Sequence, residues 1–173
     1  VAGGLVRTLE GEPRLAMAVP SGRLSDPQIM GLRYTQARDV AAWAADALGL
    51  LEARIALPLL LKAAEDPNDF FLRLMSLRSL VAWNVPEAYP VLVRGLEDPL
   101  PDNRVLALTG LARLGDPKAV DPVLARLSDA SPEVRALAVP TLTLLGGPKF
   151  RPQLEALQQK EPDPGVRDAL ETE

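Results

Sequence analysis

The sequence contains neither cysteine nor histidine, and these two absences exclude several kinds of chemistry. Without cysteine there can be no disulfides and no thiolate nucleophiles. Without both residue types there can be no Cys/His zinc site, and without histidine no imidazole acid–base catalysis. The compartment is left open, with the cytoplasm favoured, because cytosolic and secreted proteins can both lack cysteine.

Aromatic residues and long apolar runs are also scarce, and negative charges outnumber positive ones. Phe, Trp and Tyr make up 4% of the 173 residues. No apolar run approaches the roughly 18 to 20 residues of a membrane span, and no signal peptide is visible. A net charge of −4 and a pI of about 5.0 argue against a nucleic-acid partner, which usually needs a basic stripe.

Motifs of the common enzymes are missing too. The sequence has no P-loop, no dinucleotide-binding glycine motif, no His-Glu-x-x-His, no Gly-x-Ser-x-Gly and no EF-hand loop. The sequence therefore predicts a protein that is not an enzyme and that uses no cofactor and no metal.

What the sequence does contain is a repeat of about 31 residues, a period typical of stacked arrays whose units rely on their neighbours. Its main landmark is an Arg followed eleven residues later by a Gly or Asn that can end a helix. The pairs are Arg38 with Gly49, Arg73 with Asn84, Arg104 with Gly115, and Arg135 with Gly146, while Arg167 opens a fifth copy. Prolines recur in the same register.

Each copy is predicted to form two helices. In the third copy a first helix over 104–114 ends at Gly115, and a second helix begins either at Asp116 and Pro117 or later, at Asp121. Ser131 and Pro132, and likewise Asp163 and Pro164, predict helix starts. Pro140, inside the first helix of copy four, predicts a kink.

The segments 103–135 and 132–150 carry a Val-Arg pair, an Ala-rich helix, a Leu-Gly-Asp-Pro turn, a Pro-containing second helix and a closing Asp. These motifs resemble the HEAT-repeat family in its short bacterial form, which also occurs in phycobilin lyase subunits. The resemblance implies an all-α fold, a right-handed α-solenoid of about four helix-hairpin repeats. First helices would lie outside and second helices would line the inner surface. It implies no chemistry.

The predicted organisation is a non-repeat N-terminal capping segment, 1–36, followed by a repeat array, 37–173. The repeats fall at about 37–68, 69–100, 101–131 and 132–163, with a partial copy at 164–173. The N-terminal segment is the candidate cover because the second helices of copies one and two are apolar nearly all round. Since the chain starts at Val1 and stops within a repeat, we expect an excerpt or a processed product.

Two sets of charged residues recur with the repeat. The first is predicted to be a structural ladder of hydrogen bonds between units rather than a phosphate-binding site, because each Arg follows an acidic residue by four to seven positions. Its members are Arg38, Arg73, Arg104, Arg135, Arg167, Asp66, Asp98 and Asp129.

The second set consists of Lys62, Arg94 and Arg126, each four residues after a proline of a second helix. These cations are candidate groove residues that would bind an acidic partner segment, and Tyr89 in the second copy is a further candidate. A plain solvated face is the alternative. Copy three could also be shifted by one residue, which would put Ala125 in the row instead of Arg126.

The sequence thus predicts a non-catalytic module that binds a protein or peptide in the groove of its second helices. One alternative is a lyase-like, chromophore-handling subunit. A HEAT-like DNA glycosylase would need a basic groove that a pI of about 5.0 does not suggest. The remaining alternative is a structural spacer or self-association segment of a longer array, so a homo-oligomer is possible. The two tryptophans, Trp43 and Trp83, are interpreted as core or rim residues.

Overall fold

In a computed structural model of the chain, the described residues are 41–48 and 54–172. They belong to two compact units, one ending at Trp83 and the other beginning at Asn84. All regular secondary structure in these residues is helical, without a strand. The all-α prediction is confirmed, whereas the handedness of the superhelix and the repeat boundaries stay predictions.

The first unit contains three described helices. They are α1 (41–48), α2 (Leu57–Ala63) and α3 (Phe70–Trp83), with a short 3-10 turn at Arg54–Ala56 before α2. Helices α2 and α3 pack against each other. The Ser79 hydroxyl on α3 donates a 2.8 Å hydrogen bond to the carbonyl of Ala45, which ties α3 to α1. The predicted capping segment and Gly49 lie outside the described residues.

The second unit contains six helices and four 3-10 turns. The helices are α4 (Tyr89–Gly95), α5 (Pro101–Leu114), α6 (Val120–Ala125), α7 (Pro132–Gly146), α8 (Arg151–Gln158) and α9 (Pro164–Glu171). The turns are Pro86–Ala88, Pro117–Ala119, Arg126–Ser128 and Gly147–Phe150. The first helices α5, α7 and α9 pack on one another in order, and each second helix packs on the first helix that follows it.

Capping residues and prolines set the helix starts. Pro101 and Pro132 open α5 and α7, where a missing N–H is not needed. Asp163 caps α9, because its carboxylate accepts the Val166 N–H at 3.1 Å. The structure combines the two possible starts of the second helix in copy three: a 3-10 turn begins at Pro117, after Asp116, and the α-helix α6 begins at Val120, one residue before Asp121. Helix α7 continues through Pro140, and the kink stays a prediction.

Residues with positive φ end the first helices α3, α5 and α7, with one change from the predicted pattern. Gly115 has φ 67° and Asn84 has φ 49°, as their positions require. In copy four the residue with positive φ is Gly147, with φ 68° and ψ −167°, and not Gly146, so this helix end differs from the left-handed turn at Gly115. The reason is that α7 has 15 residues and α5 has 14, so the helix takes in one more residue.

Small and aliphatic side chains fill the core. Ser76, Ala107 and Ala138, each three positions after a repeat Arg, are completely buried, which permits close helix packing. Leu108 and Leu142 are buried as well. No helix in the described ranges is long and apolar enough to span a membrane.

Candidate functional site

In the second unit, Arg104 and Arg135 each bind in two directions along the chain. Nη1 of Arg104 donates to the Asp98 carbonyl at 2.8 Å, and Nη2 donates to the Asp129 carboxylate at 2.7 Å. Nη1 of Arg135 donates to the Asp129 carbonyl at 2.8 Å. Its Nε and Nη2 form a bidentate pair with the Glu161 carboxylate at 3.0 and 2.6 Å. Each guanidinium therefore joins the acidic residue before its own helix to the acidic residue that closes its repeat.

The same carbonyl bond occurs in the flanking copies. Nη1 of Arg167 donates to the Glu161 carbonyl at 2.9 Å, and Nη1 of Arg73, in the first unit, donates to the Asp66 carbonyl at 2.8 Å. Arg38 lies outside the described residues. The sequence analysis paired each Arg with the acidic residue just before it, but that residue accepts the hydrogen bond through its backbone carbonyl. The carboxylates that bind Arg104 and Arg135 belong to residues 25 and 26 positions later in the sequence.

Glu161 is a member of this ladder that sequence reasoning missed. It closes copy four, and its carboxylate accepts the N–H of Asp163, two residues on, at 3.0 Å. The ladder aspartates of the three earlier copies accept the N–H of the residue two positions on in the same way, namely Asp66 from Asn68, Asp98 from Leu100, and Asp129 from Ser131. The sequence did contain one signal that Glu161 is equivalent to the ladder aspartates: a proline follows it, Pro162, as Pro67 follows Asp66 and Pro99 follows Asp98.

Two of the ladder carboxylates, Asp129 and Glu161, have a pKa below the ordinary value, which favours their charged form. Burial alone would raise the pKa of Asp129, but hydrogen bonds from Arg104 and the Ser131 N–H, with the charge of Arg126, lower it below its ordinary value of 3.8. The pKa of Glu161 is lowered chiefly by the hydrogen bond from Arg135, against the opposing effect of burial. The guanidinium of Arg135 and both carboxylates are nearly buried, which leaves them little access to a soluble ligand.

The structure corrects the groove role predicted for Arg126. Its side chain is only 18% exposed; Nη1 donates to the Leu96 carbonyl at 2.9 Å, and Nη2 lies 2.9 Å from the Glu97 carboxylate. The 3-10 turns Pro86–Ala88 and Pro117–Ala119 fix the register of the second helices, and they match Arg94 with Ala125. Arg126 therefore clamps consecutive second helices together, and the shifted register is the correct one.

The remaining predicted groove residues are placed as follows. Lys62, on α2 in the first unit, and Arg94, on α4 in the second unit, are both exposed. Tyr89 is half-buried, and the pKa of its phenol is raised by burial and by the nearby charge of Asp116. Trp83 is buried with 7% exposure, as its core interpretation requires, whereas Trp43 is 59% exposed.

Comparison with protein families matches this architecture. The family model for HEAT repeats aligns with residues 28–103 and again with 89–172. The chain belongs to the HEAT-repeat family. HEAT repeats commonly mediate protein–protein interaction or scaffolding, and the family is generally non-enzymatic. The match is to HEAT repeats in general, so the narrower resemblance to phycobilin lyase subunits stays a prediction. A search of curated proteins returned no match.

The HEAT repeats of the second unit present one regular exposed surface on their second helices. Each of the three second helices exposes two side chains four positions apart, and equivalent side chains of successive helices are 31 residues apart in the sequence. These six side chains form two rows, which we call the second-helix face. They are Pro90, Asp121 and Pro152 in one row, and Arg94, Ala125 and Ala156 in the other. Four of the six are Pro or Ala, so these two rows are mainly apolar.

A cavity of about 420 Å³ lies at the last HEAT copy, between the end of α7, helix α8 and the end of α9. Leu154 and Leu170 line it together with Arg151, Glu155 and Glu171. Its volume falls in the range of small-molecule sites. The described residues contain no group of three or more His, Cys, Asp or Glu side chains that could hold a metal ion.

Proposed function

We propose that this HEAT-repeat chain is a non-catalytic binding or scaffold module that presents its second-helix face to a segment of a partner protein. The observation that carries the proposal is the regular exposure of the two rows, from Pro90 and Arg94 on α4 to Pro152 and Ala156 on α8. The ladder charges do not compete for this role, because they are engaged between repeats.

The chemistry of the face defines the partner segment. Pro90, Pro152, Ala125 and Ala156 offer an apolar floor with few rotatable side chains, so ordering them on binding costs little conformational entropy. Arg94 is exposed at one end of the face, and Asp121 is exposed near its middle. We infer an apolar peptide or helix that carries an acidic side chain to meet Arg94.

Lys62 extends this chemistry to the first unit by repeat position alone. It occupies, one copy earlier, the position that Arg94 occupies in α4, six residues after the last residue of a 3-10 turn. The acidic side chains of a partner are therefore expected to prefer the copies before α6, since copies three and four carry Ala125 and Ala156 at this position.

A peptide selection tests the proposal. A phage-displayed peptide library is panned on the full chain, and the enriched peptides are measured by fluorescence anisotropy against variants. Ala125→Arg places a bulky charge in the middle of the face and should weaken binding by about tenfold or more, the loss of roughly 1.4 kcal/mol. Arg94→Glu should weaken acidic peptides selectively.

Two matched controls make the test specific. Ala130→Arg adds the same side chain at an exposed position between repeats, and Arg113→Glu reverses an exposed charge at the end of α5. Both should leave the affinity unchanged. Equal binding by Ala125→Arg and Ala130→Arg, or enrichment of no peptide, would refute the assignment of the second-helix face.

A further inference from the structure

Three aromatic side chains form an exposed patch in the first unit. Trp43 on α1 is 59% exposed and Phe70 at the start of α3 is 55% exposed. The rings of Trp43 and Phe71 meet edge to face, with centroids 5.8 Å apart and an interplanar angle of 78°. We call Trp43, Phe70 and Phe71 the aromatic patch.

The patch departs from the chain's own repeat. Counted from the repeat Arg, Phe70 holds the position of Pro101, Pro132 and Pro164, and Phe71 holds that of Asp102 and Glu133. Trp43 holds the position of Arg78, Thr109 and Pro140. The chain has two Trp, two Tyr and three Phe in all, and three of these seven residues belong to the aromatic patch.

Leaving these rings in water is unfavourable. Each large aromatic side chain buries about 150–250 Å² when covered, and apolar burial stabilises by about 25 cal/mol per Å². Even half of that area from three rings would hold a short apolar segment in place, provided that the entropic cost of bringing the segment there is small.

We propose that the aromatic patch is the docking site for the apolar run 15–19 of this same chain, which reads Leu-Ala-Met-Ala-Val. The run carries no charge, and it lies in the segment 1–40, outside the described residues. The patch begins three residues after that segment ends, at Trp43. About two dozen residues separate the run from Trp43, and at about 3.3 Å per extended residue a chain of that length can reach the patch.

The tether favours this occupant over a second copy of the chain. Because the run 15–19 is joined to the patch by the chain itself, its effective concentration there is roughly millimolar for a tether of this length, well above ordinary protein concentrations. Docking of the run 15–19 on the aromatic patch gives the predicted N-terminal capping segment a specific contact.

Tryptophan fluorescence tests the docking in the full chain. Trp83→Phe leaves Trp43 as the single tryptophan, and a melt checks that this variant is folded. We expect the emission of Trp43 to be blue-shifted and to be protected from quenching by acrylamide. Both effects should be lost when Leu15→Asp and Met17→Asp are added. Val1→Asp, a charge added elsewhere in the segment, is the control. Solvent-like emission from Trp43 before the aspartates are added would overturn the proposal.

A disulfide test avoids any change to Trp83, and the absence of native cysteine removes background. Met17→Cys with Phe70→Cys should form an intramolecular disulfide about tenfold faster, or more, than Met17→Cys with Ile55→Cys, because docking raises the local concentration. Ile55 is a matched control, since it is also an exposed apolar residue of the first unit, at 82%. Equal rates, or disulfides only between molecules, would refute docking within the chain.

Discussion

Asn103, near the start of α5, is the least well satisfied polar residue in the described part of the second unit. It is completely buried, and neither its amide nitrogen nor its amide oxygen has a hydrogen-bond partner. The other copies carry Ala37, Leu72, Val134 or Val166 at this position. A buried polar group without a partner costs about 1–3 kcal/mol.

Replacing Asn103 with Val should therefore stabilise the protein. We expect Asn103→Val to raise the free energy of unfolding by about 1–2 kcal/mol, because it removes the unpaired amide and restores the side chain of copies four and five. Urea unfolding followed by circular dichroism measures the change. Asn103→Asp, which buries a charge in the same volume, should lower stability; a loss of stability in Asn103→Val would mean that the amide has a partner in solution.

At the scale of the element, the first helices α3 and α5 end where the backbone enters the left-handed region. Gly115 shows this most simply, because a Cβ built on it would meet no atom within 4 Å. The cost of a side chain there is therefore conformational and not steric. Asn84 performs the same role at the end of α3 with φ 49°.

This predicts a graded response at Gly115. Gly115→Ala should destabilise by roughly 1–2 kcal/mol, the cost of the left-handed region for an L-residue. Gly115→Asn should cost less, because Asn tolerates that region. The melting temperatures of both variants are compared with the wild type. Equal losses for Ala and Asn would show that packing at this turn, and not φ, sets the stability.

At the scale of the whole chain, the ladder makes stability depend on pH. Because Arg135 lowers the pKa of Glu161 below its ordinary value of 4.5, the unfolded chain takes up a proton at this site before the folded one does. The contribution of Glu161 is complete above that ordinary value and is lost as pH falls through the folded pKa. The pKa of Asp129 is also lowered, so its contribution to stability is lost in the same direction, as pH falls.

Glu161→Gln should therefore be less stable than the wild type by about 1.5–3 kcal/mol near pH 7, the range for hydrogen bonds to charged groups. The difference should narrow as pH falls below about 4.5, because only the wild type loses a charge there. Urea unfolding at several pH values measures it. Glu87→Gln, at an exposed site, should stay close to the wild type throughout; a difference for Glu161→Gln that is independent of pH would contradict the ladder.

Local rules made much of the fold predictable. The entry at Ser131 and Pro132, the cap at Asp163, the start at Pro117 and the end at Gly115 each depend on contacts within about four residues, which the order of residues states directly. The register of the second helices was predictable only as two alternatives, with either Arg126 or Ala125 equivalent to Arg94. Gly147 was missed because one added residue in α7 moves the turn without changing its chemistry.

The sequence by itself determined the all-α repeat, its period of about 31 residues and its membership of the HEAT family, because amphipathic period and capping are local and recur in every copy. Only the tertiary structure decided that Arg135 bonds to Glu161, that Arg126 is a clamp and that Trp43 is exposed. Contacts between residues 25 to 30 positions apart follow from how successive hairpins pack, and a one-residue shift in a helix changes which side chains meet.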